Sequence, residues 1–131
     1  MIKMKIDHVA LYCLDLVGMK DFFIRYFKGV SNEMYHNPRT GLKTYILSFE
    51  GSDARLELMT RPEVADEKES IYRQGFIHLS SSVGSKEKVD SLTKVLNEDG
   101  YQVLSGPRTT GDGYYESCIA GPEKILIEIT V

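Results

Sequence analysis

The stretch KIDHVAL at residues 5–11 combines aliphatic and β-branched residues in the manner of a β-strand and carries one histidine, His8. The same pattern returns in GFIHLS at residues 75–80, which carries His78. The chain has three histidines, so two of them occupy equivalent strands. This repetition predicts that the protein is built from two copies of one structural unit.

Each half also ends in a predicted strand with a single glutamate. Glu57 lies in RLELMT at residues 55–60, and Glu128 lies in ILIEIT at residues 125–130. Each glutamate follows the histidine of its own half at nearly the same distance, 49 residues (57 − 8) and 50 residues (128 − 78). Because side chains alternate between the two faces of a strand, each glutamate points away from the aliphatic residues beside it.

The remaining pattern of each half predicts a strand, a helix and then further strands. In the first half, Asp15 caps a helix over residues 16–27 that Gly29 closes, and in the second half Ser85 caps a helix that runs to about Glu98. The predicted strands cover residues 5–14, 30–35, 44–50, 55–60, 76–83, 101–104, 115–120 and 125–130.

These elements predict an α+β fold. Two βαβββ modules, at about residues 1–60 and 76–131, form an open barrel-like cup with the helices outside. The polar connection at residues 61–75 contains a charge run at 66–69. At 131 residues the chain is predicted to be a single domain, 1–131.

Composition excludes several function classes. The net charge is −3 with no basic block, which argues against nucleic acid as a partner. No signal peptide is evident and no apolar run is long enough to span a bilayer, so no membrane association is expected. The only cysteines, Cys13 and Cys118, are predicted to be buried thiols in a reducing compartment, which indicates a cytoplasmic protein.

Taken one at a time, the two histidines and two glutamates have an ordinary explanation. A strand glutamate between leucines is typically on the solvent face, and a lone strand histidine is more often a hydrogen-bonded residue than a ligand. The four residues together favour a different interpretation, because the first strand of each half carries a histidine and the last strand of each half carries a glutamate. His8, Glu57, His78 and Glu128 are therefore predicted to bind one divalent transition-metal ion. His36, beside the turn at Asn37, has no counterpart and is predicted to be a surface residue.

Over essentially its whole length the chain resembles the vicinal oxygen chelate superfamily, which has the glyoxalase and bleomycin-resistance fold. The resemblance rests on IDHVAL at 6–11, on FFIRYF at 22–27 after Asp15, on GFIHL at 75–79 and on GPE at 121–123 leading to LIE at 126–128. The order His, Glu, His, Glu is similar to that of the short bacterial type of glyoxalase I, lactoylglutathione lyase. Dioxygenases and fosfomycin-modifying members typically use three ligands, and epimerases usually carry Gln at the place of Glu57.

The resemblance implies isomerisation of the hemithioacetal of a 2-oxoaldehyde and a thiol to a 2-hydroxyacyl thioester. The metal, with Ni²⁺, Co²⁺ or Zn²⁺ expected, stabilises an ene-diolate through its two adjacent oxygens. Glu128 is implied to be the base that moves the proton, with Glu57 its symmetric partner. Family members often form head-to-head homodimers, in which each site takes one His–Glu pair from each chain.

Two positions depart from the short glyoxalases. Tyr12 stands where they commonly carry Arg, and Arg61 stands where they carry Asn, and both family residues hold glutathione. The metal chemistry is thus predicted to be kept, while Tyr12 and Arg61 become the candidates for binding a small-molecule substrate with a low-molecular-weight thiol that need not be glutathione.

Two alternatives remain open at the level of sequence. One is a different enzyme of the superfamily, such as a thiol transferase or an epimerase. The other is a metal-free ligand-binding protein of the bleomycin-resistance kind, in which tyrosines line an aromatic groove. The tyrosines considered for such a groove are Tyr12, Tyr35, Tyr45, Tyr72, Tyr114 and Tyr115.

Overall fold

A computed structural model describes residues 3–67, 70–72 and 74–131. The chain divides into two compact units, Met1–Lys68 and Glu69–Val131. Lys68 and Glu69 of the predicted charge run, and Arg73 of the predicted connection, lie outside the described residues. The α+β class and the two-module organisation are confirmed, with one helix packed on one sheet in each unit.

The strands of the first unit are β1 (His8–Tyr12), β2 (Val30–Ser31), β3 (Tyr35–Asn37), β4 (Leu42–Ser48) and β5 (Arg55–Thr60). They form a mixed sheet in the order β1-β5-β4-β2, with the short β3 also paired to β4. Strand β1 pairs in parallel with β5, and the other pairings are antiparallel.

Helix α1 (Leu16–Phe27) begins and ends as its sequence predicts. The Asp15 carboxylate accepts the Gly18 N–H at 3.0 Å, which satisfies one of the unpaired donors of the first turn. Gly29 donates its N–H to the Phe23 carbonyl at 3.1 Å, although the left-handed residue is Lys28, with φ 57°. The helix buries one face, formed by Leu16, Met19, Phe22 and Phe23.

The elements of the second unit are β6 (His78–Ser82), α2 (Lys86–Glu98), β7 (Gln102–Thr109), β8 (Tyr115–Ala120) and β9 (Leu126–Thr130). Its sheet repeats the plan of the first in the order β6-β9-β8-β7, with β6 and β9, the first and last strands along the chain, again in parallel. Both sheets are open. The predicted strands at 5–14 and 76–83 are too long, because β1 and β6 pair only where β5 and β9 run beside them.

Helix α2 packs on its sheet partly through a polar contact. Ser85 caps it by accepting the Lys88 N–H at 3.2 Å, as predicted. Its buried face is formed by Val89, Thr93 and Leu96, whereas Val95 is 44% exposed. The Thr93 hydroxyl donates to the Val89 carbonyl at 2.6 Å, and it lies 2.7 Å from the Ser117 hydroxyl of β8. Both buried hydroxyls are thus satisfied, as burial requires.

Strand β7 extends five residues beyond its predicted end at Leu104. Gly106 and Pro107 indicate a strand end in the sequence, yet pairing with β8 resumes at Arg108 after irregularities in register. A Cβ on Gly106 would lie 2.4 Å from the Glu116 carbonyl oxygen, and its φ is 78°. A glycine at position 106 therefore allows β7 to continue through the bulge while its backbone stays in close contact with β8.

Neither α1 nor α2, nor any other helix of the described residues, combines the length and apolar character needed to cross a membrane.

Gly106→Ala should lower the free energy of unfolding by about 2–4 kcal/mol, because the added methyl group meets backbone and the φ disfavours an L side chain. The matched control is Gly111→Ala, where a Cβ meets nothing within 4 Å, and we expect a change within about 0.5 kcal/mol. Urea unfolding of both variants measures the difference. Equal stability of the two variants would contradict the close packing of β7 on β8.

Candidate metal centre

The second unit brings His78 and Glu128 into direct contact. His78 begins β6, and Glu128 pairs in register with Ser80, two residues further along the same strand. The two side chains therefore lie diagonally on one face of the sheet. The distance from His78 Nε2 to Glu128 Oε1 is 3.1 Å, and the side chains are 34% and 23% exposed.

The first unit repeats this diagonal. His8 begins β1 opposite Arg55, and Glu57 lies opposite Ala10, again two residues beyond the histidine. Each unit thus places one imidazole and one carboxylate on the face of the sheet that is opposite its buried core. We call His8 with Glu57 the first half-site, and His78 with Glu128 the second half-site.

Asp7 and Arg55 surround the first histidine, and sequence reasoning missed both. His8 Nδ1 lies 2.8 Å from Asp7 Oδ2, and Arg55 Nη2 donates to the same oxygen at 2.8 Å. Hydrogen bonds from His8 and then from Arg55 hold the pKa of the Asp7 carboxyl below its usual range. The aspartate is therefore ionised at neutral pH and accepts from both neighbours.

Further polar groups share the face of the second half-site. Cys118 lies directly opposite Glu128, and Arg108 lies opposite Glu116. Burial raises the pKa of Glu116, and the Glu128 carboxylate raises it further. Burial also raises the pKa of the Cys118 thiol, followed by the charges of Glu128 and Glu116. The prediction of a buried thiol is correct for Cys13, whereas Cys118 is only partly buried. That Cys118, Glu116 and Arg108 share this face was not predicted, because only the register of β7, β8 and β9 brings them together.

The two predicted substrate-binding residues interact with each other. Arg61 follows β5 directly and donates through Nε to Glu63. Its guanidinium also hydrogen-bonds the Tyr12 side chain, and the contacts with Glu63 and then Tyr12 raise the pKa of Arg61. Tyr12 is 55% exposed. The cationic group and the phenol thus form one exposed cluster at the end of β1 and β5.

The donor chemistry of the second half-site fits a divalent ion. An imidazole nitrogen and a carboxylate oxygen are ligands that such ions accept, and His78 Nε2 and Glu128 Oε1 lie together on the sheet, 3.1 Å apart. Among the described residues, no cluster holds three or more His, Cys, Asp or Glu side chains suited to a metal, so each half-site is a pair. His36 lies on β3 opposite Lys43 and is exposed, apart from both pairs.

The chain matches one family model, described as the Glyoxalase/Bleomycin resistance protein/Dioxygenase superfamily, over residues 5–129. No curated protein matches it significantly. Solved structures that share the fold include a possible glyoxalase from Bacillus cereus, at 23% identity and TM-score 0.70 over 98% of this chain and all (100%) of that one.

Two other similar structures have lower identity. A glyoxylase/bleomycin resistance protein/dioxygenase domain from Frankia sp. EAN1pec shares 17% identity at TM-score 0.82, covering 99% of this chain and 98% of that one. The trypanothione-dependent glyoxalase I of Leishmania major shares 15% identity at TM-score 0.77, covering 98% and 86%. At these identities the likeness establishes a common fold.

The environment of Cys118 predicts an unreactive thiol. Its raised pKa lowers the fraction of reactive thiolate at any given pH, so iodoacetamide should alkylate it several-fold more slowly than a free thiol at pH 8. Glu128→Gln removes a neighbouring negative charge and should speed the reaction, whereas Glu98→Gln on α2 should not. Peptide mass spectrometry measures the rate at Cys118. An unchanged alkylation rate in Glu128→Gln would show that the Glu128 charge does not raise the pKa of the Cys118 thiol.

Proposed function

Because the chain belongs to the glyoxalase/bleomycin resistance protein/dioxygenase superfamily, we propose that it is a metal-dependent lyase of the glyoxalase I kind. It isomerises the hemithioacetal of a 2-oxoaldehyde and a low-molecular-weight thiol to a 2-hydroxyacyl thioester. The observation that carries this proposal is the repeated diagonal of one histidine and one glutamate on the exposed face of each unit. A detoxifying role towards methylglyoxal follows from that reaction.

His8, Glu57, His78 and Glu128 together hold one divalent ion in this proposal. Imidazole and carboxylate ligands suit Ni²⁺, Co²⁺ or Zn²⁺. When bound, such an ion supplies Lewis acidity that stabilises negative charge on two adjacent substrate oxygens. The 3.1 Å separation of the two donor atoms in the second half-site supports this role.

Proton transfer falls to the glutamates. The Glu128 carboxylate takes the proton from the carbon that carries sulfur and returns one to the neighbouring carbon, so that the reaction is a balanced isomerisation. The His78 contact at Oε1 orients that carboxylate, and the Glu128 side chain keeps 23% of its surface exposed. Glu57 occupies the equivalent position in the first unit and is its symmetric partner.

Substrate recognition falls to the cluster at the end of β1 and β5. Arg61 offers a guanidinium that binds carboxylates through paired hydrogen bonds. Hydrogen bonds with Tyr12 and Glu63 orient the guanidinium group of Arg61. A guanidinium has five N–H donors, so some of them remain available for a ligand. A thiol co-substrate with a carboxylate group fits this cluster, and Arg61 takes over the charge that short glyoxalases carry at the position of Tyr12.

The protein is proposed to act as a homodimer in the cytoplasm. Sharing of the half-sites between two chains would make each metal site depend on dimer formation. Cys13 and Cys118 form no disulfide, and proteins of a reducing compartment usually keep their cysteines in this form.

A metal-free ligand-binding protein is the second candidate. It is favoured by the exposure of Tyr12, Tyr35, Tyr72 and Tyr114, which present aromatic surface to solvent. Tyr45 is buried, and Tyr115 donates to Asp90, so these two do not contribute to a groove. Other enzymes of the superfamily, a thiol transferase or an epimerase, are distinguished by their products in the assays below.

Elemental analysis and calorimetric titration should find about one Ni²⁺, Co²⁺ or Zn²⁺ ion per chain. His8→Ala and His78→Ala should each abolish tight binding, because each removes a ligand from one half-site. His36→Ala is the matched control and should bind as the unaltered protein does. Absence of metal binding in the unaltered protein would exclude the lyase and favour the ligand-binding candidate.

Mixing the two variants tests the dimer. If each site takes one half-site from each chain, an equal mixture of His8→Ala and His78→Ala chains restores about a quarter of the metal sites through mixed dimers. If each site is formed within one chain, the mixture restores none. Light scattering on the same samples gives the oligomeric state.

Methylglyoxal with a panel of thiols should give a thioester product that absorbs in the ultraviolet, with one thiol preferred. Arg61→Gln should raise KM for that thiol's hemithioacetal about tenfold or more, with a smaller effect on kcat, because it removes a charged hydrogen-bond donor. Lys94→Gln, which removes a charge from the exposed face of α2, should leave both constants unchanged. Lack of turnover with every thiol would contradict the lyase.

A further inference from the structure

The two half-sites differ in what holds their histidines. In the first, Asp7 immediately precedes β1, and its carboxylate accepts from His8 Nδ1 and from Arg55 Nη2, each at 2.8 Å. The Arg55 N–H also donates to the Asp7 carbonyl at 2.9 Å. Asp7 is therefore held at both its backbone and its side chain by the residue that pairs with His8 across the sheet.

This contact selects one tautomer of His8. An ionised carboxylate can only accept hydrogen bonds, so the ring proton of a neutral His8 resides on Nδ1. The lone pair is then on Nε2, which is the nitrogen directed away from Asp7. A histidine whose second ring nitrogen donates to a carboxylate is oriented for binding a metal through the first.

The second half-site lacks this arrangement. The residue before His78 is Ile77, and the residue opposite His78 in the register is Leu126, so neither counterpart of Asp7 and Arg55 is polar. His78 directs Nε2 to Glu128 instead. The contact that orients His8 is therefore specific to the first unit and is not repeated in the second. His78 serves as a comparison within the same protein, since it is a histidine at the equivalent position without that contact.

We propose that Asp7, anchored by Arg55, is a positioning residue that fixes the ring orientation and tautomer of His8 so that Nε2 is ready to bind the metal. This inference rests on the proposed role of His8 as a ligand. Asp7 itself touches neither metal nor substrate in this account.

The contact does not act chiefly on stability. The Asp7 side chain is 68% exposed and that of Arg55 is 40% exposed, and ion pairs between exposed side chains contribute little to folding. Removal of the carboxylate should therefore leave the melting temperature nearly unchanged. The expected loss is confined to the state of the His8 ring and to metal binding.

The first measurement is the tautomer of each histidine in the metal-free protein, by long-range ¹H–¹⁵N correlation at about pH 8, where an ordinary imidazole is neutral. His8 should be mainly protonated on Nδ1. Asp7→Ala should shift His8 towards the Nε2-protonated form. Asp7→Asn keeps an acceptor oxygen at the same place and should keep most of the Nδ1 form. Asp53→Asn, which removes an exposed carboxylate paired with Lys5, should leave His8 unaffected.

The second measurement is the affinity of the same proteins for Zn²⁺ by competition with a chelator. Asp7→Ala should bind about 10–100-fold more weakly, with Asp7→Asn between it and the unaltered protein. An Nε2-protonated His8 in the unaltered protein, or a tautomer that ignores Asp7→Ala, would overturn the inference. A shifted tautomer without loss of affinity would also overturn it.

Failure of the proposed function is seen separately. If the unaltered protein binds no divalent ion, the lyase assignment and the metal-positioning role of Asp7 both fall. Loss of metal on His8→Ala together with normal affinity in Asp7→Ala would retain the lyase and reject the role of Asp7 alone.

Discussion

The parallel pairing of the first and last strand in each unit is the constraint on which the candidate site depends. In both units the register sets the glutamate opposite a residue two places beyond the histidine. Because side chains alternate with a period of two, a slip of one residue would turn Glu57 or Glu128 into the core and leave a leucine or isoleucine exposed. Burial of Leu56, Leu58, Ile127 and Ile129 therefore fixes the face on which each glutamate lies.

The helices complete this arrangement from the other side of each sheet. In the first unit Met19, Phe22 and Phe23 of α1 are almost fully buried, and in the second Val89 and Leu96 of α2 are. The Thr93–Ser117 hydrogen bond adds a directional contact between α2 and β8. With one face of each sheet covered by a helix, the opposite face is where polar donors can remain accessible, and both half-sites occupy it.

The sequence predicted the elements whose signals are local. Asp15 and Ser85 caps, the helices they begin, and the strands Arg55–Thr60 and Tyr115–Ala120 match residue by residue. The predicted end of β7 came too early, because Gly106 and Pro107 ordinarily end a strand. Only the tertiary contact with Glu116 shows that the strand continues through a bulge.

Prediction of the site was limited in the same way. The His–Glu pairs were visible because duplication repeats them, but a cross-strand neighbour is invisible until the register is known. Arg55 donates to Asp7 although the two residues are 48 positions apart in the sequence. Cys118 lies opposite Glu128 only because β8 and β9 pair in an antiparallel register. Asp7 was overlooked for a different reason: adjacent residues in a strand face opposite ways, and Asp7 can reach His8 only because β1 begins one residue later.

The two half-sites show how a duplicated unit can diverge without losing its symmetry. Backbone register is shared, so the positions of the four donors are equivalent in both units. The groups around them are not constrained in this way: the first histidine donates to Asp7, whereas the second contacts Glu128 directly. Since Glu128 rather than Glu57 is proposed to move the proton, the half-site with the separately held histidine is the one suited to anchoring the metal. The other retains a glutamate that contacts the neighbouring histidine through Oε1, which suits a carboxylate that must take up and release a proton.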